Sequence, residues 1–218
     1  VFAREPVAGR VKTRLVPPLR SDEAADLAAA CLADLTRRLG RIDARRVVAL
    51  PPDASPEGVA RCVPAGWEAA DQGEGDLGQR LARATTRELH RGRAPVAVIG
   101  ADHPDVPLAA VEGALAAAAA GRIGWITTAD GGYACVALAR PLPGFFAGIP
   151  WSTSGVAAAS RAAAARLGIA LVDTGPWYDL DTADDVDRFR GEPENARECP
   201  ATWELLARLV PRWEERRR

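Results

Sequence analysis

The sequence predicts an α/β fold: a single three-layer α/β/α sandwich on a mostly parallel sheet. Three observations predict it. Short apolar runs alternate with amphipathic stretches of helical period along most of the 218 residues. One run, PVAVIG (95–100), is apolar throughout, the pattern of a central parallel strand covered on both faces. Four segments of unusual composition (3–14, 72–78, 101–107 and 178–182) fall at the ends of strand-like runs, where open α/β sheets bind ligands.

Each element has its own signal. Ser21 reads as an N-cap ahead of Asp22 and Glu23, Leu27, Cys31, Leu32, Leu35 and Leu39 mark one helical face, and Gly40 ends it. RRVVAL (45–50) is a short buried strand stopped by Pro51 and Pro52, and Ser55-Pro56 opens a brief helix. Leu77, Leu81 and Leu89 carry the next amphipathic helix. After PVAVIG comes the alanine-rich AAVEGALAAAAAG (109–121), interrupted by Glu112, which reads as a helix packed on a sheet and not as a membrane span. IGWITT (123–128) and YACVALA (133–139) flank Asp130-Gly131-Gly132, a turn signal that predicts an antiparallel pair. A helix near 153–167, the strand IALVD (169–173) and a helix after Thr182 complete the pattern, with a polar tail after Arg188 that either wraps the domain or frays.

The net charge is −1, from 28 basic and 29 acidic residues, so nothing global attracts nucleic acid or an anionic membrane. Four cysteines (Cys31, Cys62, Cys135, Cys199) stand far apart without a CxxC pair, which fits reduced thiols in a cytoplasmic protein. The chain has no methionine, and only Val1 and Phe2 precede the first loop; a strand ahead of Val1 and methionines missing within the chain are expected.

Lys12 is the single lysine, in a chain whose other basic residues are all arginine. It sits in a loop with Ala3, Arg4, Gly9, Arg10 and Arg14, where glycine permits close backbone approach to an anion and the cations neutralise it. No Walker A motif is present, and a basic surface turn explains this loop equally well on its own. Asp102, just past PVAVIG, is placed to hold Mg²⁺ (or Mn²⁺), which takes one or two carboxylates plus substrate phosphates. A turn aspartate at a strand end is its plain alternative, Asp105 reads as a cap of the next helix or turn, and His103 as a loop residue.

YDLDTADDV (178–186) sets Asp179 and Asp181 on one side of a short strand, while Thr182 and Asp185 fit a capping box. Asp181 is the second candidate metal ligand. In QGEGDLGQR (72–80), Gln72, Gly73 and Gly75 suit backbone contacts to a flat base, and Asp76 suits both that role and an N-cap. Asp130, Gly131, Gly132 and Tyr133, with Trp151, Ser152 and Thr153, are the acceptor-binding candidates; a hairpin turn, and a buried tryptophan ahead of a helix cap, are the bland readings.

FAREPVAGRVKTRL, QGEGDLGQR, GADHPDVP, DGGY, IPWST and YDLDTADDV, in this order, resemble the bacterial GT-A-type transferases labelled arsenosugar-biosynthesis glycosyltransferases or radical-SAM/selenodomain-associated transferases. The resemblance covers the chain to about residue 190. It implies the nucleotide-diphospho-sugar transferase fold over 1–190, with 191–218 as a C-terminal extension of the same domain. The loop and aspartates are also similar to those of 2-phospholactate guanylyltransferase and, more distantly, molybdenum cofactor guanylyltransferase. That similarity implies phosphate binding and catalysis by Lys12, Arg4, Arg14 and Asp102, nucleotide contacts from Ala3, Gly9, Gln72, Gly73, Gly75 and Asp76, and metal ligation by Asp102 and Asp181.

Glycosyltransferases of this fold commonly carry Asp-x-Asp, which GADHPD lacks, so the sequence favours Mg²⁺-dependent nucleotidyl transfer from a nucleoside triphosphate to a small anionic acceptor. Glycosyl transfer from a nucleotide-sugar is the alternative, and a non-catalytic nucleotide-binding module the third reading. A homodimer is compatible with all three.

Overall fold

The structure is a computed structural model that describes residues 1–92, 94–142 and 144–216. In chain order its elements are α1 (Ser21–Leu39), β1 (Val47–Leu50), α2 (Pro56–Ala60), β2 (Glu68–Asp71), α3 (Leu77–His90), β3 (Val96–Ile99), α4 (Leu108–Ala119), β4 (Ile123–Thr127), β5 (Tyr133–Leu138), α5 (Val156–Arg166), β6 (Leu171–Asp173), α6 (Ala183–Gly191), α7 (Asn195–Glu198) and α8 (Pro200–Arg216).

β1 pairs with β2 in parallel, and a four-stranded sheet runs β3-β5-β4-β6. β5 is antiparallel to both β3 and β4, whereas β4 and β6 are parallel. Phe2 bridges Ala49 and Gly100 in parallel, which aligns the direction of β1 with that of β3. Among the described residues five strands therefore share one direction and β5 opposes them, so the α/β, mostly parallel expectation holds. One part of it is corrected. PVAVIG has β5 as its ladder partner, antiparallel from Val96↔Leu138 to Ile99↔Cys135. The Asp130-Gly131-Gly132 turn folds β5 back between β3 and β4, which an apolar run by itself does not reveal. β2 escapes sequence reading because EAAD has no apolar alternation and is largely exposed.

β5 shows how the layers form. Val136 and Leu138 point into a core with Leu81, Phe145, Phe146 and Val156, while Cys135 and Ala137 point into one with Leu35, Val111, Ala114 and Ala118. Helix α4 lies so close to β4 that a Cβ on Gly124 would sit 2.1 Å from the Ala114 carbonyl oxygen. A third cluster joins Leu27 and Cys31 of α1 to Leu205, Leu206, Leu209 and Trp213 of α8, so the tail packs along α1 where the sequence left its course open.

The caps behave locally. Ser55 Oγ accepts from Gly58 N at 3.1 Å, and Thr182 Oγ1 from Asp185 N at 3.3 Å. Ser21 is not the N-cap: Arg20 holds that position, its N–H bonded to Glu23 Oε2 at 2.8 Å, because the glutamate reaches back one residue further. Among the described residues no helix is long and apolar enough to cross a membrane.

Candidate active site

Two segments form the floor of the site at the C-terminal ends of the strands. Residues 101–105 leave β3. Residues 177–181 run beside them, fixed by Leu180 N to the Asp102 carbonyl (3.0 Å) on one side and Trp177 N to the Thr127 carbonyl (2.7 Å) on the other. The expected strand here is reduced to one bridge, Thr128 to Trp177, but the chain stays extended and its side chains alternate. Tyr178 and Leu180 enter the core shared by α1, α6 and α8. Asp179 and Asp181 emerge on the opposite side.

Lys12 reaches this floor from the opening loop. Its side chain is 1% exposed. Nζ donates to Asp102 Oδ1 at 2.5 Å, to the Leu180 carbonyl at 2.9 Å and to Asp181 Oδ1 at 3.4 Å. An ammonium has three donors, and all are taken. Its backbone is left-handed at φ 45°, a conformation costing a non-glycine residue about 1–2 kcal/mol, so the loop is bent to deliver this side chain. The lysine singled out by composition is thus the internal partner of both candidate metal ligands.

The electrostatics follow. Burial disfavours the ammonium, but the Asp102 and Asp181 charges outweigh it and raise its pKa. Burial likewise opposes charge on Asp102, yet Lys12 lowers its pKa. Asp181 goes the other way, raised by burial and by Asp102, with Lys12 and Arg14 only partly compensating. Arg14 stands 3.9 Å from Asp181 Oδ2 and is largely exposed.

A cavity of about 270 Å³ is lined by Arg4, Glu5, Arg10, Pro51, Asp53, Ala54 and Arg80, and Arg4 links it to the floor. Gly9 turns the loop, and Arg10 is ion-paired with Asp53. Arg4 is close enough to favour the ionised form of Asp102. Glu5 ties the loop to α2 by accepting from Ser55 N at 2.8 Å.

The 72–78 loop spends the Gln72 and Asp76 side chains on the protein's own groups. Gln72 is buried, its Nε2 donating to the Ala49 (2.8 Å) and Ala3 (3.3 Å) carbonyls and its Oε1 accepting from Arg80. Asp76 caps α3, accepting from Gln79 N at 2.8 Å. Arg83 donates to the Gln72 and Glu74 carbonyls. Gly73 and Gly75 keep positive φ, so what this loop offers a ligand is backbone.

The acceptor candidates come together. Gly131 has φ 90°, a Cβ there would strike the Ser154 carbonyl, and its own carbonyl accepts from Ala157 N. Asp130 Oδ1 accepts from Thr128 Oγ1 and Gly132 N, closing the turn. Tyr133 and Trp151 meet edge to face, and Thr153 Oγ1 donates to the Pro150 carbonyl. Ser152, at φ 63°, bends the chain between them.

Asp105 does not cap α4; Pro107 holds that position. The Asp105 carboxylate accepts from Trp177 Nε1 (3.2 Å), Tyr178 Oη and Asn195 Nδ2 (3.3 Å), deep in the core. His103, read as a loop residue, is buried at the site, Nδ1 on the Tyr178 carbonyl (2.9 Å) and Nε2 3.5 Å from Asp179 Oδ1. Since the carbonyl only accepts, Nδ1 carries the proton and Nε2 faces the carboxylate. Burial pushes Asp179 up to about 6, with Asp130, Asp102 and Asp181 adding to it and His103 opposing. The only sequence signals for this pair were adjacency to Asp102 and the two-residue step to Asp181. Arg80 was missed because it lies one turn inside α3.

The chain resembles a crystal structure of a protein from Desulfovibrio desulfuricans G20, provisionally named a nucleotide-diphospho-sugar transferase, with TM-score 0.90 and 25% identity over 99% of this chain and 95% of that one. It also overlaps Rv0371c from Mycobacterium tuberculosis H37Rv, with TM-score 0.49 and 21% identity over 88% of this chain and 96% of that one. No curated protein matches the sequence. A family profile matches residues 28–153, more than half of the sequence and including the 72–78 loop, the Asp102 turn and the Asp130 hairpin. The chain therefore belongs to DUF2064, the family described as "uncharacterized protein conserved in bacteria".

Proposed function

We propose that this protein is a transferase that binds a nucleotide-diphospho-sugar and moves its sugar to a small acceptor. The observation that carries this reading is the overlap of nearly the whole chain with the Desulfovibrio protein of that provisional name. The site supports it: Arg4, Arg10 and Arg80 line a polar cavity, and the charge of Arg4 also acts on Asp102 of the floor. In this reading 1–190 is the transferase domain and 191–218 its extension.

The diphosphate lies between the cavity and the floor, where Arg4 of the one and Arg14, beside Asp181, of the other bring charge to its oxygens. The base rests on the Gly73–Gly75 backbone, held in shape by Gln72 and Arg83. The acceptor sits between the Asp130–Tyr133 turn and Trp151–Thr153. Asp102 and Asp181 fit a divalent cation in chemistry but do not complete its shell: among the described residues no group of three His, Cys, Asp or Glu side chains could hold a metal ion. Two carboxylates plus diphosphate oxygens meet the needs of Mg²⁺ or Mn²⁺. Such an ion, when bound, neutralises charge on the departing nucleoside diphosphate. The chain's own task is to align donor and acceptor and to hold cations against the leaving group, which requires no protein nucleophile.

Nucleotidyl transfer is the second reading, favoured by one observation. The two carboxylates that meet Lys12 come from separate segments, Asp102 after β3 and Asp181 after Leu180, and not both from one Asp-x-Asp. Incubation with nucleotide-sugars and with each nucleoside triphosphate, Mg²⁺ and a panel of small acceptors distinguishes the two. Release of a nucleoside diphosphate is expected. Pyrophosphate release establishes the second reading, and no turnover with any donor leaves a binding module.

A further inference from the structure

We propose that the Lys12 ammonium is a built-in competitor for the cation position between Asp102 and Asp181, so that these carboxylates take up a divalent metal only when Lys12 is drawn away. The geometry is that of a cation in an oxygen cage. Nζ meets Asp102 Oδ1 at 2.5 Å, the Leu180 carbonyl at 2.9 Å and Asp181 Oδ1 at 3.4 Å, with the side chain sealed from solvent. The ligands come from two separate segments, 101–105 and 177–181, and the Lys12 ammonium bridges one carboxylate from each.

A divalent ion bridging the same carboxylates needs their oxygens at about 2.0–2.1 Å. It would share Asp102 Oδ1 with an ammonium already on it, and two cations on one carboxylate oxygen repel, with the ammonium itself sealed from the water that would screen it. Arg14, 3.9 Å from Asp181 Oδ2, adds positive charge on the remaining side. Among the described residues these three oxygens are the hydrogen-bond partners of the Lys12 ammonium, and its stem is long enough to swing toward an incoming phosphate. An order of binding follows: the metal enters with a phosphate-bearing ligand, whose oxygens take over the ammonium. This holds whichever group the protein transfers.

The test uses Mn²⁺ alone, without nucleotide, so its outcome does not depend on the transferase reading. Titration followed by electron paramagnetic resonance compares the full-length wild type with Lys12→Met, which keeps the stem and removes the charge. Lys12→Met is expected to bind one Mn²⁺ at least tenfold tighter than wild type, and Lys12→Met/Asp102→Asn to lose that site. Equal or weaker binding by folded Lys12→Met overturns the proposal. The melting temperature of the wild type provides a check that survives misfolding of Lys12→Met. It is expected to be the same with and without millimolar Mn²⁺, and a rise that disappears in Asp102→Asn also overturns the proposal.

Discussion

The same two segments, 101–105 and 177–181, build two carboxylate sites that behave in opposite ways. On the cleft side, Asp102 and Asp181 converge on one buried ammonium while their own carboxylates stay 46% and 27% exposed. On the core side, Asp105 is 7% exposed and sealed by an indole N–H, a phenol and an amide. The first pair keeps oxygen atoms for something outside the protein; the second has none to spare. The difference teaches that an aspartate's role here depends on which face of an extended chain it leaves, because alternation sends Tyr178 and Leu180 inward and Asp179 and Asp181 outward.

Breaking the core site has the largest expected effect on folding. Asp105→Ala leaves three donors without their acceptor, at about 1–3 kcal/mol for each that stays dry, so urea denaturation is expected to show a loss of about 3–5 kcal/mol. A loss below about 1 kcal/mol means that water replaces the carboxylate and that the contrast with Asp102 is false.

The cleft side responds in activity. Lys12→Ala is expected to lower turnover in the transfer assay by a barrier increase of about 2–4 kcal/mol, the scale for removing one preorganised donor from developing charge. Lys12→Arg sharpens this, since a planar fork does not fit a cage made for a point charge. Full turnover in Lys12→Arg would reduce Lys12 to a structural ion pair.

Asp102→Asn is a smaller perturbation. It is expected to weaken Mg²⁺-dependent binding of a nucleotide-sugar by about tenfold, or about 1.4 kcal/mol, in calorimetry, and to leave binding without metal nearly unchanged. Equal loss in both conditions would remove the carboxylate from any metal-linked role.

Asp179 gives the smallest effect, and a pH-dependent one. Its carboxyl is pushed up to about 6 in the fold, above the ordinary value of 3.8, by burial and by neighbouring Asp130, Asp102 and Asp181. The folded state therefore binds the proton more tightly than the unfolded chain, and Asp179 costs stability progressively as pH rises from about 4 to 6. Partial exposure of the carboxyl moderates this. Asp179→Asn is expected to stabilise by about 1 kcal/mol at pH 8 and to have no effect at pH 4, read as melting temperature against pH. A gain at both pH values would show a packing effect.

Much of this was legible in the chain. The alternation of apolar runs and amphipathic helices is a local property, so the elements, the Ser55 and Thr182 caps and the Asp130-Gly131-Gly132 hairpin could be read from short windows. The isolated Lys12, the glycines of 72–78 and the aspartates after two strand-like runs could be picked out for the same reason: residue type and spacing signal where backbone turns and charge gathers. Folding decided what long-range geometry decides. It inserted β5 between β3 and β4, paired Lys12 with carboxylates 90 and 169 residues away, buried His103 against Asp179, and spent Gln72 and Asp105 on the protein's own donors and acceptors. A sequence lists which polar groups exist, but which of them remain free depends on partners that only the packed chain brings within hydrogen-bond distance.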